Sequence, residues 1–211
     1  MKPEYIKYLK GTTTIGVVCS DGIVIGGDMR ATAGNIIANS ETRKVFKIDN
    51  NLGMTIAGGV GDAQEIIRII KAQNELYKMN EGRPLSPKSA ASLLSIIFQQ
   101  NKMMPYFVWN LVAGIDGSEP QLYSLDFMGG VTEESKFAAV GSGSETALGY
   151  VEDAYKKGMT TKDAVRVVAK ALSIAMRRDS ATGDSMIVAS ITKSGYTEYS
   201  GKDLEKMSAA K

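Results

Sequence analysis

The chain has 211 residues, 44% of them apolar and 23% charged, with a formal net charge of +2. That balance fits one folded domain with a sizeable core and excludes a disordered chain. So small a charge makes no electrostatic case for nucleic acid, and no apolar run nears the roughly 18 residues that a membrane-spanning helix needs.

Residues 1–10 are polar and aromatic without clear periodicity, and they lack the apolar centre of a secretory signal. Gly11 then opens Thr12-Thr13-Thr14-Ile15-Gly16-Val17-Val18, a β-branched run that reads as a buried strand. Gly22 to Gly27 reads as a second strand, joined to the first by the hairpin signal Ser20-Asp21-Gly22. Asp28 follows at the strand end, where a carboxylate is a natural turn former. Residues 31–42 are small and polar and read as a loop. Val45 to Ile48 and Leu52 to Ala57 make another hairpin about Asp49-Asn50-Asn51. Lys44, just before it, reads on its own as a solvated edge residue.

Gly58-Gly59-Val60-Gly61 breaks the strand pattern. Asp62-Ala63-Gln64-Glu65 has the spacing of a helix start, and Ala63, Ile66, Ile67, Ile70 and Tyr77 keep one apolar face. Glu81-Gly82-Arg83-Pro84 ends that helix. Ser86-Pro87 starts a second, with the stripe Ala90, Leu93, Leu94, Ile97 and Phe98, closed by Met103-Met104-Pro105. Strands return at 107–115, 121–127 and 137–140. Ser142 to Glu145 has capping-box spacing for a third helix, which Gly158 ends. Thr160 to Asp163 caps a fourth, with Ala164, Val167, Val168, Ala171 and Ile174 on its face. Residues 177–184 form a polar loop, 186–191 and 196–199 a last hairpin, and the tail past Gly201 is polar.

Helices grouped between sets of hairpins exclude a doubly wound parallel sheet, which would alternate strand and helix. The expected class is α+β: a four-layer αββα sandwich, two antiparallel sheets between two helix layers. No GxxxxGK phosphate loop is present. Gly141-Ser142-Gly143 lacks the third glycine and the flanking βαβ unit of a dinucleotide fingerprint.

The chain contains no histidine. Ser-His-Asp catalysis, Cys-His catalysis and histidine-bearing zinc sites are therefore excluded within it. The single cysteine, Cys19, forbids an internal disulfide and suits a small buried filler in a reducing compartment. A general base near neutral pH must then be a shifted lysine, a shifted carboxylate or an α-amine. The α-amine needs least adjustment, since its unperturbed pKa is about 7.7–8.0. A cut between Gly11 and Thr12 would place such an amine beside a threonine hydroxyl, joining base and nucleophile in one residue. The bland alternative for this stretch is a plain first strand.

Gly11-Thr12-Thr13-Thr14, Gly26-Gly27-Asp28-Met29-Arg30, Lys44, Ala57-Gly58-Gly59-Val60-Gly61-Asp62, Gly141-Ser142-Gly143-Ser144 and Arg178-Asp179-Ser180-Ala181-Thr182-Gly183 stand in a telling order. Their combined order and spacing resembles that of 20S proteasome β subunits of the single-type archaeal kind, which are N-terminal-nucleophile hydrolases. The resemblance implies self-cleavage after Gly11, with residues 1–11 a removed leader and residues 12–211 the hydrolase domain. It implies Thr12 as the nucleophile of a threonine endopeptidase, with its own α-amine, or a water beside it, handling protons. Asp28 would pair with Lys44 near that hydroxyl. Ser142 and Asp179 would orient the amine, and Thr182, where the family more often has Ser, would supply a further hydroxyl. The Gly58 N–H would be the oxyanion hole. Thr32, Gly58 and Val60 would hold a substrate strand through main-chain bonds, and Ala31, Ile56 and Val60 would line an apolar pocket.

The same likeness implies no metal or other cofactor. Its partners are further β subunits in a seven-membered ring, two such rings stacked, and flanking rings of α subunits. Unfolded proteins would be the substrates in a closed chamber, an ATPase regulator acting through the α ring is compatible, and the location is cytoplasmic. Two rival readings differ in outcome. A catalytically silent ring member would lack Thr12, Lys44 or the glycine before the cut. A small-molecule N-terminal-nucleophile amidase would work without an α ring.

Overall fold

The computed structural model describes residues 11–201, 203 and 204. Residues 1–10 of the expected leader lie outside the described residues. In chain order come β1 (Thr13–Val18), β2 (Gly22–Asp28), β3 (Ala31–Ala33), β4 (Ile36–Asn39), β5 (Val45–Asp49) and β6 (Leu52–Gly58). Helices α1 (Val60–Glu81) and α2 (Pro87–Gln100) follow, then β7 (Val108–Asp116), β8 (Glu119–Leu125), β9 (Val131–Glu133) and β10 (Phe137–Gly141). Helices α3 (Ser144–Ala154) and α4 (Thr161–Arg178) precede β11 (Met186–Thr192) and β12 (Gly195–Ser200).

One sheet has the order β10-β1-β2-β11-β12 and the other β5-β6-β7-β8-β9. Every pairing within them is antiparallel. Three apolar clusters define the layers. Leu52, Met54, Val108 and Val112 of one sheet pack with Ile66, Ile70, Leu94 and Phe98 of α1 and α2. Ile15, Val17, Val24 and Val188 of the other pack with Ala147, Val151, Val168 and Leu172 of α3 and α4. Between the sheets lie Ile23, Ile25, Leu111, Leu122, Ala189 and Ile191. This is the expected four-layer α+β sandwich. Its cause is the period-two alternation of the strands: Ile23 and Ile25 point inward to the second sheet, and Val24 and Gly26 outward to α4. Strands covered on both faces must be apolar on both, and β2 is buried along its whole length.

Gly26 sets how near α4 can lie. A Cβ there would stand 2.5 Å from Val168 Cγ1 and 3.2 Å from Leu172 Cδ1. Gly26→Ala is therefore expected to overpack this layer and to cost about 1–3 kcal/mol. Calorimetry should record a fall in Tm of about 2–4 °C per kcal/mol for a chain of this size. An unchanged Tm would mean that helix and sheet do not meet there.

Several local expectations are corrected. Residues 31–42 are not simply a loop, because β3 and β4 pair as a separate two-stranded ribbon. Helix α1 begins at Val60, with Gly59 as N-cap and no side-chain cap. The Asp62 carboxylate accepts from the Phe107 N–H at 2.9 Å instead, so its capping-box spacing served a different partner. Helix α3 likewise has Gly143 as N-cap without a side-chain bond, and it ends at Ala154, before Gly158. Strand β9 was not read from the sequence; its three residues are all exposed and carry no apolar alternation. Thr160 does cap α4, accepting from Asp163 N–H, and Ser86 caps α2. Cys19 is buried and free, as its filler role requires.

Candidate active site

Strand β1 starts one residue after Thr12, and its pairing with β10 puts Thr13 opposite Gly141. Gly141 has φ +105°, and a Cβ there would lie 2.1 Å from the Thr12 carbonyl oxygen. Only glycine tolerates both the backbone angle and the approach. Thr12 is thereby held at the end of a buried strand, and it is 2% exposed. Its Oγ1 donates to the Gly11 carbonyl oxygen, so the hydroxyl lies against the peptide unit that joins the two residues.

Two carboxylates organise the surroundings. Asp28, at the end of β2, is fully buried. Its Oδ1 accepts from the Thr13 N–H at 2.9 Å and from Lys44 Nζ at 2.8 Å. Its Oδ2 accepts from the N–H groups of Arg30 at 3.0 Å and Gly183 at 3.1 Å. One carboxylate thus joins β1, the turn after β2, the approach to β5 and the loop after α4. Lys44 also donates to the Arg30 carbonyl and is 5% exposed. It is no solvated edge residue, because Asp28 supplies the counter-charge that lets an ammonium be buried. Burial pulls the Lys44 pKa below the ordinary lysine value, and the nearby carboxylate of Asp28 opposes part of that fall.

The second carboxylate is Asp179, the C-cap residue of α4. Its Oδ2 accepts from the Ser142 hydroxyl and from Thr182 Oγ1, the latter at 2.6 Å. A hydroxyl has one proton to give. With Thr182 donating to Asp179, the 2.7 Å contact between Thr182 Oγ1 and Thr13 Oγ1 takes its proton from Thr13. With Ser142 donating likewise, its oxygen is left to accept from the Thr12 N–H at 3.3 Å. Ser142 therefore faces the Thr12 nitrogen rather than capping α3.

The six residues Thr12, Asp28, Lys44, Ser142, Asp179 and Thr182 are brought together by direct bonds or by one intervening residue, Thr13. The pocket residues converge as well. Ala31, Thr32, Lys44, Ile56, Gly58 and Val60 line one cavity of about 410 Å³ that also reaches Gly11 and Thr12. Gly58 closes β6 with φ +139°, and a Cβ there would lie 2.1 Å from the Phe107 carbonyl oxygen. The Ile56 N–H donates to the Lys44 carbonyl at 3.0 Å. Alternation along β6 puts the Gly58 N–H on the same side of the strand as the Ile56 N–H, beyond the start of β5.

Sequence reasoning missed a clamp on the loop that carries Asp179 and Thr182. Arg30 Nε and Nη2 donate to the two oxygens of Asp184 at 2.9 and 3.0 Å, and Nη1 donates to the Ser180 carbonyl at 2.9 Å. This fork holds the Asp184 carboxyl below the usual carboxylate range. Asp184 has φ +67°, the only positive value at a non-glycine position among the described residues. Arg30 lay inside a quoted motif, but no spacing links it to a partner 154 residues away.

The family model described as Proteasome subunit matches residues 8–191. A protein named "Proteasome subunit beta" from Methanosphaerula palustris is 47% identical over 202 residues, covering 96% of each chain. One of the same name from Methanococcus aeolicus is 45% identical over 206 residues, 97% of this chain and 95% of that one. "Proteasome subunit beta 1" from Thermococcus onnurineus is 45% identical over 199 residues, 94% of this chain and 97% of that one. The chain belongs to the proteasome subunit family, and within that family to the β subunits.

Proposed function

We propose that this β subunit is the proteolytic part of a 20S core and that it activates itself by cutting Gly11–Thr12. The observation that carries the reading is the Thr12 hydroxyl against the Gly11 carbonyl, with Ser142 at the Thr12 nitrogen, Asp28 on the N–H of the next residue and Lys44 paired to Asp28. In self-cleavage, Thr12 Oγ1 bonds to the Gly11 carbonyl carbon, and the C–N bond to Thr12 breaks. The nitrogen takes the hydroxyl proton, and water then hydrolyses the ester. Residues 1–11 leave with a new carboxylate, and Thr12 gains a free α-amine.

Peptide hydrolysis repeats this chemistry between molecules. The amine accepts the Thr12 hydroxyl proton as the oxygen attacks a substrate carbonyl. The Lys44 ammonium lowers the cost of the developing alkoxide, and the Gly58 N–H receives the oxyanion, a donor worth about 2.7–4 kcal/mol. Collapse breaks the peptide C–N bond, and the leaving amine takes the proton back. Water then releases the acyl group from Thr12. Ser142 and Asp179 hold the amine in place through both steps.

Thr32, Gly58 and Val60 would hold an extended chain by its main chain, with Ala31, Ile56 and Val60 around the side chain before the cut. Partners, on this reading, are sister β subunits in stacked seven-membered rings, flanking α subunits, unfolded proteins and an ATPase acting through the α ring, in the cytoplasm. Gly11, Thr12 and Lys44, whose loss would mark a silent ring member, are all in place. The test is the intact mass of the subunit after assembly with an α subunit. It should correspond to a chain starting at Thr12. An active particle that retains residues 1–11 would refute the mechanism.

A further inference from the structure

Acyl transfer divides its substrate in two, and the cavity bounded by Thr32 and Val60 takes the half that stays on Thr12. A second cavity of about 400 Å³ lies across Thr12 and Gly58 from the first. Both cavities share Gly11, Thr12 and Gly58, so they meet at the residue where a bound chain would be cut. We propose that this second cavity binds the leaving half of the substrate and favours a basic side chain, Lys or Arg, at the first residue after the cut. The inference rests on the threonine-peptidase reading above.

Its lining has an apolar floor, an aromatic wall and one charge. Ala139 and Val140 come from β10, Trp109 from β7, and Glu145 from the first turn of α3. Glu145 is the only charged side chain of that lining among the described residues, and it is exposed. Trp109 pairs with Ala57 across the sheet, one residue from Gly58. Its ring meets Phe127 edge-on with centroids 5.2 Å apart, and Phe127 stacks on Phe107 at 6.0 Å. The indole is therefore fixed before any ligand arrives. Ser144 Oγ donates to the Gly141 carbonyl at 2.7 Å and fixes the turn between β10 and α3.

A lysine or arginine side chain suits this set. Its methylene stem covers the Val140 side chain, which faces the space between the sheets, while its head stays near water. The cation meets the Trp109 ring and the Glu145 carboxylate. An acidic side chain meets a like charge instead, and no cation among the described residues lines the cavity.

The experiment uses the assembled particle and matched peptides that differ only in Lys, Gln or Glu after the scissile bond, with products identified by mass. The same peptide carrying a coumaryl amide in place of the leaving half is run beside them. For the wild type, kcat/KM should be about tenfold higher with Lys than with Glu, since exposed charge pairs and cation–π contacts each change rates by about two- to fivefold. Glu145→Gln should shrink that ratio to about twofold, and Glu145→Lys should reverse the order. A wild-type ratio near one overturns the inference while coumaryl turnover continues. So does an unchanged ratio in Glu145→Gln, or charge selectivity confined to the residue before the cut. A particle inert toward every substrate, the coumaryl peptide included, overturns the peptidase reading itself.

Discussion

Thr12→Ala should leave the particle assembled, uncut and inactive, whereas Thr12→Ser should keep both self-cleavage and turnover. The alanine variant loses the one atom that both proposed reactions use to form a bond. Turnover of a fluorogenic peptide should fall by about 10³-fold or more, the order expected when a nucleophile is removed. Intact mass should show residues 1–11 still attached. Folding should survive, because β1 holds its register from Thr13 to Val17 without help from the Thr12 side chain. Among the described residues, the one side-chain hydrogen bond lost is that of Oγ1 to the Gly11 carbonyl, about 1 kcal/mol. Serine keeps the hydroxyl but loses the branch at Cβ that stiffens χ1. Its oxygen samples more rotamers, so a loss of about tenfold is expected rather than abolition. Substantial turnover by the alanine variant would end the nucleophile assignment.

How much of this was legible in the sequence depended on range. Strands β1, β2, β6 and β7 announced themselves because buried apolar runs need only local pattern. Each helix was found, but two helix starts were misplaced, since Asp62 and Ser142 have capping spacing and bond elsewhere. Asp62 reaches Phe107, 45 residues on, and Ser142 reaches Asp179, 37 residues on. No local rule can weigh such partners against a helix end. Lys44 fails in the same way. By itself a lysine before a strand looks solvated, and only Asp28, 16 residues earlier, makes its burial tolerable. The site emerged because its motifs matched a family in order, not because any single spacing revealed it. Trp109 lay outside those motifs, and Glu145 beside one of them read only as the end of a capping box.

The Arg30 fork explains why so much polar machinery can sit in one loop. The segment from Asp179 to Asp184 has no regular structure, yet Thr182 is fully buried within it. Loops are usually free to move unless side chains tie them down. Here the tie is threefold: Arg30 on Asp184 and Ser180, Asp28 on the Gly183 N–H, and Asp179 on Thr182. A Cβ on Gly183 would lie 2.4 Å from Arg30 Cζ, so the guanidinium packs directly on the loop backbone. The two carboxylate clusters are thus one mechanical unit: Thr13 joins them, with its N–H on Asp28 and its hydroxyl on Thr182, and Thr12 directly precedes it.

Lys44 and Asp28 are expected to separate catalysis from folding, though they form one ion pair. Lys44→Ala should lower kcat/KM by about 10²–10³-fold, because no other lysine among the described residues bonds Asp28 to favour the proposed alkoxide. Removing one member of a buried pair ordinarily costs about 3–5 kcal/mol. Asp28 would still accept from the N–H groups of Thr13, Arg30 and Gly183, so the loss of stability should fall at or below the lower end of that range. Asp28→Ala strands the buried N–H groups of Thr13 and Gly183, at about 1–3 kcal/mol each, together with the part-buried N–H of Arg30 and the Lys44 ammonium. It should therefore lower Tm well beyond Lys44→Ala, and equal Tm values would remove Asp28 from its structural role. The pH profile supplies the complementary test. The proposed reaction uses Lys44 as the ammonium, and burial sets its pKa below the ordinary value of 10.5. As pH rises, kcat/KM should therefore fall earlier than it would for an exposed lysine. In Lys44→Arg, whose guanidinium stays charged throughout, whatever activity remains should lack that alkaline limb. A limb unchanged by this substitution would assign the titration to another group and leave Lys44 without its electrostatic part in the reaction.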